Sequence, residues 1–119
     1  MSPRLNLLVL YSRDVERLRY FYENFLKFSF VKEKHGNGAE HYSCQLGELV
    51  LELYPTSKEN THTTRLGFAI EGLDELIKKL DCAFVHRSPF ETDYGRCAII
   101  QDPDDRFIHL YEHTTKLKE

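Results

Sequence analysis

The strongest constraint on this chain is that it repeats itself. Val50-Leu51-Glu52-Leu53-Tyr54 lies over Phe107-Ile108-His109-Leu110-Tyr111 at an offset of 57 residues, and Leu7 lies over Arg65 at an offset of 58. A repeat of this length makes each copy one supersecondary unit, so both halves must adopt the same order of elements. In each copy the side chains alternate with the period of a strand. Leu51 and Leu53 share one face with Leu49, and Ile108 and Leu110 match them. Val50, Glu52 and Tyr54 form the other face, matched by Phe107, His109 and Tyr111. A carboxylate and an imidazole therefore occupy the same position in two copies of one strand.

The first copy reads as residues 5–56 and the second as 65–113, inside a single domain of 119 residues. Leu5 to Tyr11 predicts a strand apolar on both faces, as in strands covered from both sides. Asp14 to Lys27 has Val15, Leu18, Phe21, Tyr22, Phe25 and Leu26 at helical spacing, with Ser12 or Asp14 placed to cap it. Strands follow over 28–33, 40–46 and 49–54, with a Gly36-Asn37-Gly38 turn after the first and Pro55 ending the last. The polar stretch Ser57 to Thr64 is the internal boundary. After it come a strand over 65–71, a helix over 73–80, a strand over 83–87, a Ser88-Pro89 loop, a strand over 96–101 and a last strand over 107–112. Asp102-Pro103-Asp104-Asp105 reads as a turn feeding that strand, because Pro103 fixes its φ and has no N–H to pair. Residues from His113 on are polar and expected to fray. The reading is an α+β chain of two βαβββ modules, with two curved, mostly antiparallel half-sheets around a shared cleft.

Composition narrows the function classes. A net charge of −3 with no basic run excludes a nucleic-acid footprint, and no apolar stretch is long enough for a membrane span. No secretory leader is legible at the N-terminus. Cys44, Cys82 and Cys97 are odd in number and form no CxxC pair, which fits neither a disulfide framework nor a zinc ribbon and points to a reducing cytoplasm. No Ser-His-Asp order and no glycine-rich phosphate loop are present.

Three fragments in this order resemble the vicinal oxygen chelate superfamily, the group of glyoxalase I, extradiol dioxygenases and bleomycin-resistance proteins. They are Asp14-Val15-Glu16-Arg17 with Phe21-Tyr22-Glu23, then Val50 to Tyr54, then Asp102 to Leu110. The last looks like the family's Asp-Pro-Asp-Gly turn, with Asp105 where glycine is usual. The resemblance covers residues 5 to 112 and implies a glyoxalase-like fold, commonly dimeric. It also implies metal-ligand positions on the first and last strands of each module, which here are Leu7, Glu52, Arg65 and His109. Glu52 and His109 are able to hold Zn, Ni, Mn or Fe. Leu7 cannot ligate, and Arg65 is a fixed cation that would repel a metal.

Two functions follow as expectations. In one, a divalent metal on Glu52 and His109 polarises a small substrate, and Glu52 moves a proton as in a lyase or dioxygenase-type enzyme. In the other, the protein binds or sequesters a small molecule without a metal, as bleomycin-resistance proteins do. That reading uses Arg65 and His109, with Tyr54, Tyr111, Phe107 and Tyr11 as an aromatic wall. Arg65 is expected to pair with Glu52 across the cleft. Arg96 is a candidate anion contact. His41 is a candidate ligand-binding residue on an edge that reads equally as a solvated hairpin, the commoner case, and it and His62 are the residues that could complete a metal site. Cys44 and Cys97 are expected as small buried hydrophobes.

Overall fold

The computed structural model describes residues 5–59, 64–93 and 95–112. His62, Tyr94 and the tail from His113 lie outside them. The chain divides into two compact units, Met1–Thr61 and His62–Glu119. The first holds β1 (Leu7–Ser12), α1 (Val15–Phe25), β2 (Val31–Glu33), β3 (His41–Leu46) and β4 (Leu49–Pro55). The second holds β5 (Leu66–Ile70), α2 (Leu73–Lys79), β6 (Val85–Thr92), β7 (Gly95–Gln101) and β8 (Phe107–Glu112). Each unit is one four-stranded sheet, in order β1-β4-β3-β2 and β5-β8-β7-β6. In both, the first and last strands run parallel and the rest antiparallel. The expected α+β fold of two βαβββ modules is what forms.

The repeat holds at the level of register. Glu52 is the partner of Val9 on β1, and His109 is the partner of Gly67 on β5. The inward residues Leu51, Leu53, Ile108 and Leu110 are all buried to within 1%. At about 25 cal/mol per Å² of apolar surface removed from water, such side chains supply much of each module's stabilisation.

α1 starts where the sequence places it. Asp14 is the N-cap, and its Oδ1 accepts from Arg17 N at 3.1 Å. Ser12 Oγ in turn accepts from Asp14 N at 3.0 Å, so both candidate caps are used. Leu18, Phe21 and Tyr22 face inward. On the wet side Arg19 bonds Glu16 and Glu23 and lies over the Tyr42 ring. Tyr42 Oη donates to Glu16, and this bond holds the Glu16 carboxyl below its usual range and pushes the Tyr42 hydroxyl up. The helix closes at Lys27, whose φ of 61° lies in the left-handed region.

α2 has no local side-chain cap, because its N-cap is Gly72 at φ 69°. Glu112 at the end of β8 supplies the missing acceptors, taking Gly72 N at 3.1 Å and Leu73 N at 3.4 Å.

Three expectations change. The Ser88-Pro89 stretch is not a loop: β6 runs through it to Thr92, with register shifts between Val85 and Arg87 and between Arg87 and Phe90. Proline lacks the ladder donor and is tolerated here because β6 is an edge strand with irregular pairing. A short 3-10 turn, Cys82–Phe84, precedes it, capped by Asp81. β1 is not covered on both faces, since Leu7 and Tyr11 are 50% and 52% exposed.

The turn before β8 is built on a buried ion pair. Asp102 and Arg106 are each 1% exposed. Asp102 Oδ2 accepts from Arg106 Nη1 at 2.8 Å, while Oδ1 accepts the backbone N–H groups of Asp104 at 2.8 Å and Arg106 at 3.1 Å. Asp105 follows at φ 65°, so the position where the resembled turn carries glycine has the conformation glycine favours. Asp105→Gly is expected to stabilise the chain by about 0.5–1 kcal/mol. A thermal melt checks this, and an unchanged or lower midpoint would count against it.

Candidate functional site

The outward face of β5 and β8 gathers an arginine, a histidine and two aromatic rings. Arg65 Nη1 donates to His109 Nε2 at 2.9 Å. A guanidinium has no lone pair to offer, so Nε2 must be the acceptor and the His109 proton sits on Nδ1. The Arg65 Cζ also lies 4.8 Å from the Phe107 ring centroid. His109 and Tyr111 stack with centroids 6.3 Å apart and an interplanar angle of 20°. Opposite His109 the register holds Gly67, and a Cβ there would come within 3.3 Å of Tyr111 Cε2. The glycine therefore leaves the space in which the Tyr111 ring lies. Arg65 and Tyr111 are exposed, and His109 and Phe107 are half-buried. The result is a planar cation beside flat rings, open to solvent.

The positions that the family implies for a metal can be tested on this chemistry. Leu7 has no donor atom. Arg65 brings a permanent positive charge to His109 and already occupies the Nε2 lone pair a metal would need. Glu52 remains the one free donor of the four, and it belongs to the other unit. The set does not fit a metal ion.

In the first unit Glu52 faces His41. His41 is 1% exposed, so it is not on a solvated hairpin as the sequence suggested. It stacks on Tyr54 with centroids 4.1 Å apart and planes 9° from parallel. Its Nδ1 lies 3.1 Å from the Ala39 carbonyl oxygen, which can only accept, so Nδ1 carries a proton. Nε2 faces Glu33 Oε1 at 3.3 Å, Tyr54 Oη at 3.4 Å and Glu52 Oε2 at 4.0 Å. Burial pushes the Tyr54 hydroxyl up, so it stays protonated at neutral pH. Tyr11 leans on Tyr54 at 6.2 Å. Glu33 and His35 belong to this group but were not singled out from sequence. The signal available was spacing: Glu33 and His41 flank the Gly-Asn-Gly turn and pair directly across it.

Arg96 lies on neither face. Its Nε and Nη2 donate to the two oxygens of Asp74 at 3.1 and 3.0 Å, and Nη1 donates to Glu91 at 3.1 Å. The Arg96 bond holds the Asp74 carboxyl below its usual range. This fork ties α2 to β7, and two carboxylates already flank the guanidinium. Cys44 and Cys97 are buried as expected, and burial pushes both thiols up.

No family profile matches the chain, and no curated protein does. Solved structures do. An antibiotic-binding protein from Streptomyces sp. CB03234, TnmS3, superposes with a TM-score of 0.76 at 20% identity, over 95% of this chain and 98% of that one. A glyoxalase/bleomycin resistance protein/dioxygenase family enzyme from Burkholderia phytofirmans gives 0.73 at 17% identity, over 91% and 97%. The virulence protein STM3117 from Salmonella typhimurium gives 0.72 at 20% identity, over 96% and 99%. Among the described residues no helix is long and apolar enough to cross a membrane.

Proposed function

We propose that this chain, which has the vicinal oxygen chelate fold, binds a small anionic aromatic molecule on the β5–β8 face without a metal at the family's ligand positions. The carrying observation is the Arg65 guanidinium held at 2.9 Å on His109 beside the rings of Phe107 and Tyr111. The planar fork matches a carboxylate or sulfonate in two parallel hydrogen bonds, and flat rings beside it accept an aromatic body. His109 fixes where the fork points, so Arg65 loses less rotamer freedom when a ligand binds. That an antibiotic-binding protein shares the fold agrees with this reading. So does the donor chemistry of Leu7 and Arg65. The three free cysteines agree with a reducing cytoplasm.

The probe is 1-anilinonaphthalene-8-sulfonate, an anionic aromatic dye read by its own fluorescence. Arg65→Ala is expected to weaken its binding by roughly tenfold, about 1.4 kcal/mol, with a smaller loss for Arg65→Lys, which keeps the charge but not the fork. Equal affinity in wild type and Arg65→Ala, with the fold intact by circular dichroism, would overturn the proposal.

A further inference from the structure

We propose that Glu33, His35 and His41, at the β2–β3 hairpin, form a divalent transition-metal site of the zinc class. None of the three is one of the family's four ligand positions, and all three belong to the first unit. One carboxylate oxygen and two imidazole nitrogens of these residues all lie within 4.8 Å of one another. Glu33 Oε1 is 3.3 Å from His41 Nε2 and 3.6 Å from His35 Nε2. Ligands about 2.0–2.1 Å from a tetrahedral zinc ion stand roughly 3.3–3.5 Å apart, so two of the three separations are already near the bound value.

His41 carries the argument furthest. Its Nδ1–H is committed to the Ala39 carbonyl, an arrangement that fixes the ring and its tautomer in metal-bound histidines. That leaves the Nε2 lone pair, on a side chain 1% exposed, facing the Glu33 carboxylate with the Glu52 carboxylate at 4.0 Å. A lone pair and two carboxylates brought this close suit a cation held between them. The nearby hydroxyl of Tyr54 can offer a hydrogen bond but no charge. The second imidazole, at His35, 5.1 Å from His41 between centroids, adds the further nitrogen donor that a zinc-class ion takes. Two histidines and one carboxylate form a zinc set that leaves the fourth position open. The bound ion would join the end of β2, an edge strand of three residues, to the start of β3.

The test uses the tag-free full chain, stripped by chelator, titrated with Zn²⁺ by calorimetry and with Co²⁺ by absorbance. One ion per chain is expected. Glu33→Gln and His35→Ala are expected to weaken binding by roughly tenfold or more, while His109→Ala leaves it unchanged. Glu33 and His35 have 36% and 72% exposed side chains, so these variants avoid the folding risk of replacing buried His41. Three results would overturn the site: no saturation below about 1 mM, wild-type affinity in both variants, or a cobalt–thiolate absorption band, which would put the ion on exposed Cys82.

Discussion

Asp102→Ala is expected to remove about 3–5 kcal/mol of stability, because it strands a buried guanidinium. Arg106 is 1% exposed, and Asp102 is both its charge partner and the acceptor for two backbone N–H groups of the turn. Asp104 Oδ2 lies 3.8 Å from Arg106 Nη1 and offsets only part of the loss. Asp102→Asn keeps the Oδ1 acceptor and is expected to cost less. A double variant, Asp102→Ala with Arg106→Leu, is expected to regain stability relative to Asp102→Ala alone, since the uncompensated charge goes with the arginine. Urea unfolding measures all three. A loss under about 1 kcal/mol for Asp102→Ala would refute the account, as an exposed pair would give that value.

Leu53→Ala and Leu110→Ala are the same deletion made once in each module. Both leucines are 0% exposed, at matching positions of β4 and β8. Each substitution is expected to cost about 2–5 kcal/mol, from lost transfer free energy and from the cavity left behind. Denaturant midpoints with unchanged slopes would confirm it. A cost near zero at either site would mean that the module has no packed core there.

Much of the fold was legible because alternation and helical spacing are periodic signals. Leu51 with Leu53 and Ile108 with Leu110 announced two copies of one strand, and the copies fixed the element order. Asp14 announced α1 because its cap is local. What stayed hidden was non-local or lacked a periodic mark. Glu112 caps a helix 40 residues earlier, and no pattern around Gly72 says so. Pro89 reads as a break, yet an edge strand with shifted register carries it. At the site, Arg65 and His109 were singled out as chemically able, but their pairing is a tertiary fact. His41 looked solvated because it follows a glycine-rich turn. It is buried among Tyr54, on which it stacks, His35 and Glu33, a set that sequence spacing does not reveal.

The two helix caps also give the modules different clocks during synthesis. α1 takes its cap from Asp14, three residues from the N–H it satisfies, so its cap is at hand as soon as its first turn is made. α2 waits for Glu112. At about 5–20 residues per second on a ribosome, 40 residues correspond to roughly 2–8 s in which that helix start is uncapped. The first module can therefore be closed and burying its leucines while the second is still collecting the strand that finishes it.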